Sequence, residues 1–124
     1  MDWLIAIVSF AIVCLEVLIR KLTYAEPGQE FPPHMDAPFK KTNQIESHYT
    51  VLFYLDDCKE SGELSFLKPT EEENGTEPVH TLHPKRGLVL AFPHKNLHSS
   101  SPMKEGEQKF LIRNDVLYEI VNWM

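Results

Sequence analysis

A chain of 124 residues has room for one domain with one modest core, and 43% hydrophobic with 24% charged residues is the balance of an ordinary globular protein. The net charge of −6 offers no basic surface and excludes nucleic acid as an expected partner. The acidity gathers around Glu71-Glu72-Glu73, which reads as a solvated loop, and Cys14 and Cys58 lack metal-like spacing and read as two unpaired thiols.

The chain opens on an apolar run, Trp3 to Ile19, closed by Arg20-Lys21. A cleaved signal peptide fits poorly, because Met1-Asp2 supplies no basic n-region and no small-residue cleavage site follows. A membrane anchor over residues 3–19 is short for a span and contains Glu16. The third reading is a buried helix over residues 1–22: Asp2, Ser9 and Glu16 recur every seventh residue and form one narrow polar stripe. The helix is slightly preferred, which leaves a cytoplasmic or a membrane-anchored location open.

From residue 23 onward the signals are strand-like. Glu26-Pro27-Gly28-Gln29 is a turn, and Glu30-Phe31 leads through Pro32-Pro33 to His34 in extended backbone. His48 to Leu55 is rich in β-branched and aromatic residues and reads as a largely buried strand. Glu63 to Leu67 and Val79 to Leu82 are short strands, separated by an acidic loop bounded by prolines. Leu88 to Phe92 is a buried strand, His98 to Glu107 a polar loop, and Lys109 to Tyr118 a last strand. Many short strands at even spacing predict an all-β sandwich or barrel.

The residues that carry chemistry are His34-Met35-Asp36 and His98, with Lys109 eleven positions further on. Residues i and i+2 of an extended segment point to one side, so His34 and Asp36 can share one cation. A His-x-Asp triplet alone is weak, since such triplets arise often by chance. Two imidazoles and one carboxylate with open positions form the ligand set of non-haem Fe(II) oxygenases, and a distant histidine can reach the same end of a closed jelly roll.

Four stretches together make a specific pattern: Glu26-Pro27-Gly28-Gln29 with Phe31 and His34-Met35-Asp36; Tyr49 to Leu55 with Ser61-Gly62-Glu63-Leu64-Ser65-Phe66; Pro84-Lys85-Arg86-Gly87 to Phe92 with Leu97-His98; and Pro102, Gly106, Lys109-Phe110 with Arg113 to Tyr118. In order and spacing they resemble the catalytic domain of the 2-oxoglutarate- and Fe(II)-dependent dioxygenases, in the prolyl 4-hydroxylase-like branch. The resemblance implies a mainly β, double-stranded β-helix (jelly roll) over residues 23–124, with the apolar helix of residues 1–22 in front. It implies Fe(II) held by His34, Asp36 and His98, and 2-oxoglutarate whose remote carboxylate meets Lys109, with Tyr54 reaching the same carboxylate and Tyr24 near the metal end. It further implies dioxygen as co-substrate, ascorbate as reductant, succinate and carbon dioxide as co-products, and hydroxylation of a C–H bond on a prolyl or other peptidyl substrate.

Arg113, four residues after Lys109 and on the same strand face, rivals it, although the family motif favours the basic residue directly before Phe110. His94 reads as a flanking residue, His80 and His83 as exposed, and His48 has no partner that sequence can name. Family members usually have one residue fewer between the distal histidine and the lysine, so a bulge or shifted loop is expected before Lys109. They also have a helical region before the His-x-Asp strand, where only 22 residues stand here. Two rivals therefore stand beside the dioxygenase: a non-catalytic barrel that retains the ligands, and a cupin-like metalloenzyme with no use for Lys109.

Overall fold

Alternation of inward and outward side chains organises the molecule into two facing antiparallel sheets. The computed structural model describes the backbone of residues 14–119 and the side chains of residues 26–119. Among these residues the strands are β1 (Cys14–Ala25), β2 (Phe31–His34), β3 (Ile45–Tyr54), β4 (Leu64–Pro69), β5 (Thr76–Leu82), β6 (Val89–Pro93), β7 (His98–Ser100) and β8 (Lys109–Glu119). One sheet has the order β1-β8-β3-β6 and the other β2-β7-β4-β5, a jelly-roll-like arrangement.

Two expectations change. The first half of the apolar run lies outside the described residues, but from Cys14 the backbone is extended and pairs with β8 as far as Ala25↔Lys109. An apolar run does not by itself separate a buried strand from a helix. Here β8 needs hydrogen-bond partners on both sides, and Val17, Ile19 and Thr23 favour the strand. Among the described residues no helix is long and apolar enough to cross a membrane. The second change is β7: His98–Ser100 was expected to open a loop and instead pairs with both β2 and β4.

β3 is half-buried rather than largely buried. Leu52 and Tyr54 face the core while Phe53, between them, is 38% exposed. The core joins Leu52, Tyr54, Leu64 and Phe92, with Phe66, Leu88, Leu90 and Leu111 packed around them. Phe66 meets Phe92 edge-on at 5.1 Å between ring centroids. Cross-strand pairing carries the inner face of β3 onto β8, because directly opposed residues share a side: Thr50↔Asp115, Leu52↔Arg113 and Tyr54↔Leu111.

The longer gap before Lys109 is taken up in the loop rather than in the strand: β8 starts at Lys109, in register with Ala25. Gly106 turns the chain at φ +81°, a conformation glycine reaches without penalty. The next residue, Glu107, accepts the Lys59 amide at 2.8 Å, the Glu60 amide at 3.3 Å and the Ser61 hydroxyl. The loop before β8 is thereby fastened to the turn before β4.

Candidate metal centre

Antiparallel pairing of β2 with β7 sets His34 directly opposite His98, with ring centroids 4.3 Å apart. Asp36, two residues past His34, is held in place by its amide, which donates to the His94 carbonyl at 2.9 Å. One ligand atom from each of His34, Asp36 and His98 falls within 4.8 Å of the others, a group able to hold a metal ion.

The hydrogen bonds around the three side chains select those atoms. Nδ1 of His34 lies 2.8 Å from the Pro32 carbonyl, and Nδ1 of His98 lies 2.8 Å from the Asn96 carbonyl. A carbonyl only accepts, so each Nδ1 carries the ring proton and each Nε2 presents its lone pair. Those Nε2 atoms lie 3.6 Å and 3.8 Å from Oδ1 of Asp36. The other carboxylate oxygen, Oδ2, is occupied by the Thr50 hydroxyl at 2.6 Å. Burial pushes the His98 imidazole below its ordinary pKa, outweighing the nearby Asn96 carbonyl and Asp36, and so favours the neutral ring a cation needs. This donor set, two neutral imidazoles and one carboxylate, suits Fe(II).

The three residues line a cavity of about 120 Å³, also lined by Leu52, Tyr54, Leu64, Ser100 and Lys109. Lys109 is buried, 3% exposed. Its ammonium donates to Ser100 Oγ at 2.5 Å and to the Gly62 carbonyl at 3.1 Å. An ammonium has three donors, and among the described residues no carboxylate forms an ion pair with this one. Burial lowers its pKa, with Cys58 and Glu63 offsetting part of the effect. A buried cation with neutral partners and a spare donor is a seat for an anion. Ser100 lies two residues from His98 on β7, about 7 Å along the strand, so the anion seat and the three ligands share one wall.

Arg113 has a different role from Lys109. Its guanidinium lies 3.2 Å from Oδ1 of Asp36 and 3.3 Å from Oδ1 of the fully buried Asp115. Carboxylates already neutralise it, which leaves Lys109, of the two, as the cation open to an anion.

Tyr54 is buried in the cavity wall, and burial, followed by Cys58, pushes its phenol up to about 12. It is therefore a neutral donor, and its hydroxyl finds no hydrogen-bond partner among the described residues. Tyr24 pairs through its backbone with Phe110, and its side chain lies outside the described residues. His80 and His83 are exposed, as expected, and His48 meets Glu46 at 3.2 Å on the surface. His94, read from sequence as a flanking residue, is instead 4% exposed and bonded to Ser47 and Thr50.

A family model for the 2OG-Fe(II) oxygenase superfamily matches residues 20–114. The chain belongs to that superfamily. Among solved structures it is similar to a prolyl-4-hydroxylase of Pseudomonas putida, with a TM-score of 0.60 and 16% identity over 94% of this chain and 60% of that one. It is also similar to the viral collagen prolyl hydroxylase vCPH of Paramecium Bursaria Chlorella virus-1 in its 2OG complex, with a TM-score of 0.60 and 19% identity over 94% of this chain and 68% of that one. The chain thus spans less than two thirds of the Pseudomonas enzyme. Comparison with curated protein sequences gave no match.

Proposed function

We propose that this chain is an Fe(II)- and 2-oxoglutarate-dependent dioxygenase that hydroxylates a C–H bond, with His34, Asp36 and His98 as the iron ligands and Lys109 as the partner of the remote 2-oxoglutarate carboxylate. One observation carries the reading: three converging ligand atoms and a buried ammonium that has no carboxylate partner among the described residues line the same cavity. A bound Fe(II) would supply oxygen activation coupled to oxidative decarboxylation of 2-oxoglutarate.

The chain's own residues hold and orient. His34 and His98 present Nε2, while Asp36 presents Oδ1 because Thr50 occupies Oδ2. Lys109 and the Tyr54 hydroxyl take the far carboxylate. Leu52, Leu64, Phe92 and Leu111 line the same cavity with apolar surface, which strengthens each charge-assisted bond made inside it. Tyr24 stays assigned to the metal end by resemblance, as does ascorbate as reductant. A prolyl or other peptidyl substrate is the class suggested by the names of the two similar enzymes.

The test is succinate release from 2-oxoglutarate by the iron-loaded chain without substrate. Turnover that disappears in His98→Ala supports the ligand assignment, and unchanged turnover refutes it. A cupin-like enzyme without 2-oxoglutarate would leave the buried ammonium of Lys109 without a purpose.

A further inference from the structure

Bonded to Asp36 but not among the residues that line the cavity is a group of sealed polar side chains: Ser47 0%, Thr50 1% and His94 4% exposed. Ser47 and Thr50 are three residues apart on β3, a spacing that in a regular strand puts side chains on opposite faces. The β3–β8 ladder slips between Ser47↔Leu117 and Tyr49↔Val116, so His48 is an extra residue in β3. This bulge turns both hydroxyls to the inner face, where each meets one nitrogen of the His94 ring, Ser47 Oγ at Nε2 (2.7 Å) and Thr50 Oγ1 at Nδ1 (2.8 Å).

The bonds run in one direction. A carboxylate only accepts, so Thr50 spends its single proton on Oδ2 of Asp36. Thr50 then accepts from His94, which places the ring proton on Nδ1. With Nδ1 protonated, Nε2 accepts from the Ser47 hydroxyl, and Ser47 Oγ in turn accepts the Phe39 amide at 2.8 Å. The backbone fastens the same parts together: the His94 amide donates to His48 O at 2.8 Å, and the Asp36 amide to His94 O.

We infer that His94 is a positioning residue for the metal-binding carboxylate, acting through Thr50 to pin Oδ2 of Asp36 so that Oδ1 alone faces His34 and His98. The inference rests on the ligand assignment proposed above. It makes the bulge at His48 a functional device, and it separates a polar cluster that orients a ligand from one that merely fills the core.

The experiment is Mn(II) binding to the full chain, followed by the electron paramagnetic resonance of free Mn(II), with wild type, Thr50→Val, Thr50→Ser, His94→Gln and the double variant Thr50→Val/His94→Gln. Thr50→Val, nearly equal in shape, should weaken Mn(II) by about tenfold, the lower end for losing a ligand's outer hydrogen bond, while Thr50→Ser retains affinity. His94→Gln should weaken binding in the wild-type background and add nothing in the Thr50→Val background. Thr50→Val binding at wild-type strength, or two losses that multiply, overturns the inference while leaving the ligand assignment standing. A wild-type chain that binds no Mn(II) overturns both. Should the variants fail to fold, ¹⁵N shifts of the wild-type imidazoles decide: a neutral His94 protonated at Nδ1 supports the chain of bonds, and protonation at Nε2 overturns it.

Discussion

Replacing Lys109 with methionine should separate binding from stability. Lys109 is 3% exposed, and its ammonium donates to Ser100 and Gly62 and has no carboxylate partner among the described residues. Methionine has similar length and carries no charge to desolvate. The two groups it abandons can satisfy each other, since Ser100 Oγ already lies 3.3 Å from the Gly62 carbonyl as a donor. The unfolding free energy should therefore stay within about 1 kcal/mol of wild type or rise, as expected when a buried charge gives way to an apolar side chain. Binding should move the other way. A hydrogen bond to a charged partner contributes about 1.5–3 kcal/mol, so the affinity for 2-oxoglutarate should fall by about 10- to 150-fold. Urea denaturation gives the first quantity, and anaerobic calorimetric titration of 2-oxoglutarate into the Mn(II)-loaded chain gives the second. A Lys109→Met chain that binds 2-oxoglutarate within about twofold of wild type, or that loses several kcal/mol of stability, would show that this ammonium is structural.

Three further outcomes follow from the same geometry. Burial lowers the Lys109 pKa below the ordinary lysine value of 10.5, so the folded chain releases this proton earlier than the unfolded one and gains stability as pH rises from the lowered value towards 10.5. Affinity for 2-oxoglutarate needs the charged form and should fall over that alkaline range, whereas Lys109→Met should show a flat profile in the same titration. Gly62 sits at φ +70°, where an added Cβ would lie 2.6 Å from Met103 Sδ and 3.4 Å from Lys109 Nζ; Gly62→Ala should cost about 1–2 kcal/mol for the left-handed backbone alone, measured by urea denaturation, and should weaken 2-oxoglutarate binding. Arg113→Met strips the guanidinium from Asp36 and Asp115, so it should lower the melting temperature without metal, and added Mn(II) should raise that temperature more than in wild type, because the cation now replaces the lost positive charge at Asp36.

Much of the site was legible because it depends on local spacing. His34 and Asp36 share an extended segment, and Lys109 opens a strand whose apolar content is plain. What sequence left hidden depends on pairing. β7 has only three residues, His-Ser-Ser, too short and too polar to announce a strand, and it forms because β2 and β4 supply partners on both sides. The part of the apolar run from Cys14 onward was ambiguous between helix and strand until β8 required a neighbour along Cys14–Ala25. Lys109 and Arg113 share a face by alternation, so spacing alone does not separate them; the motif before Phe110 favours Lys109, and the pairing of Arg113 with Asp36 and Asp115 agrees. The role of His94 was hidden most deeply, because a one-residue bulge at His48 decides that Ser47 and Thr50 point the same way. A polar Thr50 on the same face as Leu52 and Tyr54 was the available sign that this face carries more than core packing.

One cation at His34, Asp36 and His98 and one 2-oxoglutarate near Lys109 should occupy the same cavity. The most direct test is the visible absorption of the anaerobic Fe(II)-loaded chain on addition of 2-oxoglutarate. A metal-to-ligand band should appear in wild type, be lost in His98→Ala, and require more 2-oxoglutarate in Lys109→Met. Iron bound by wild type with no band on addition, or a band that survives in His98→Ala, would rule out a shared site with His98 as a ligand.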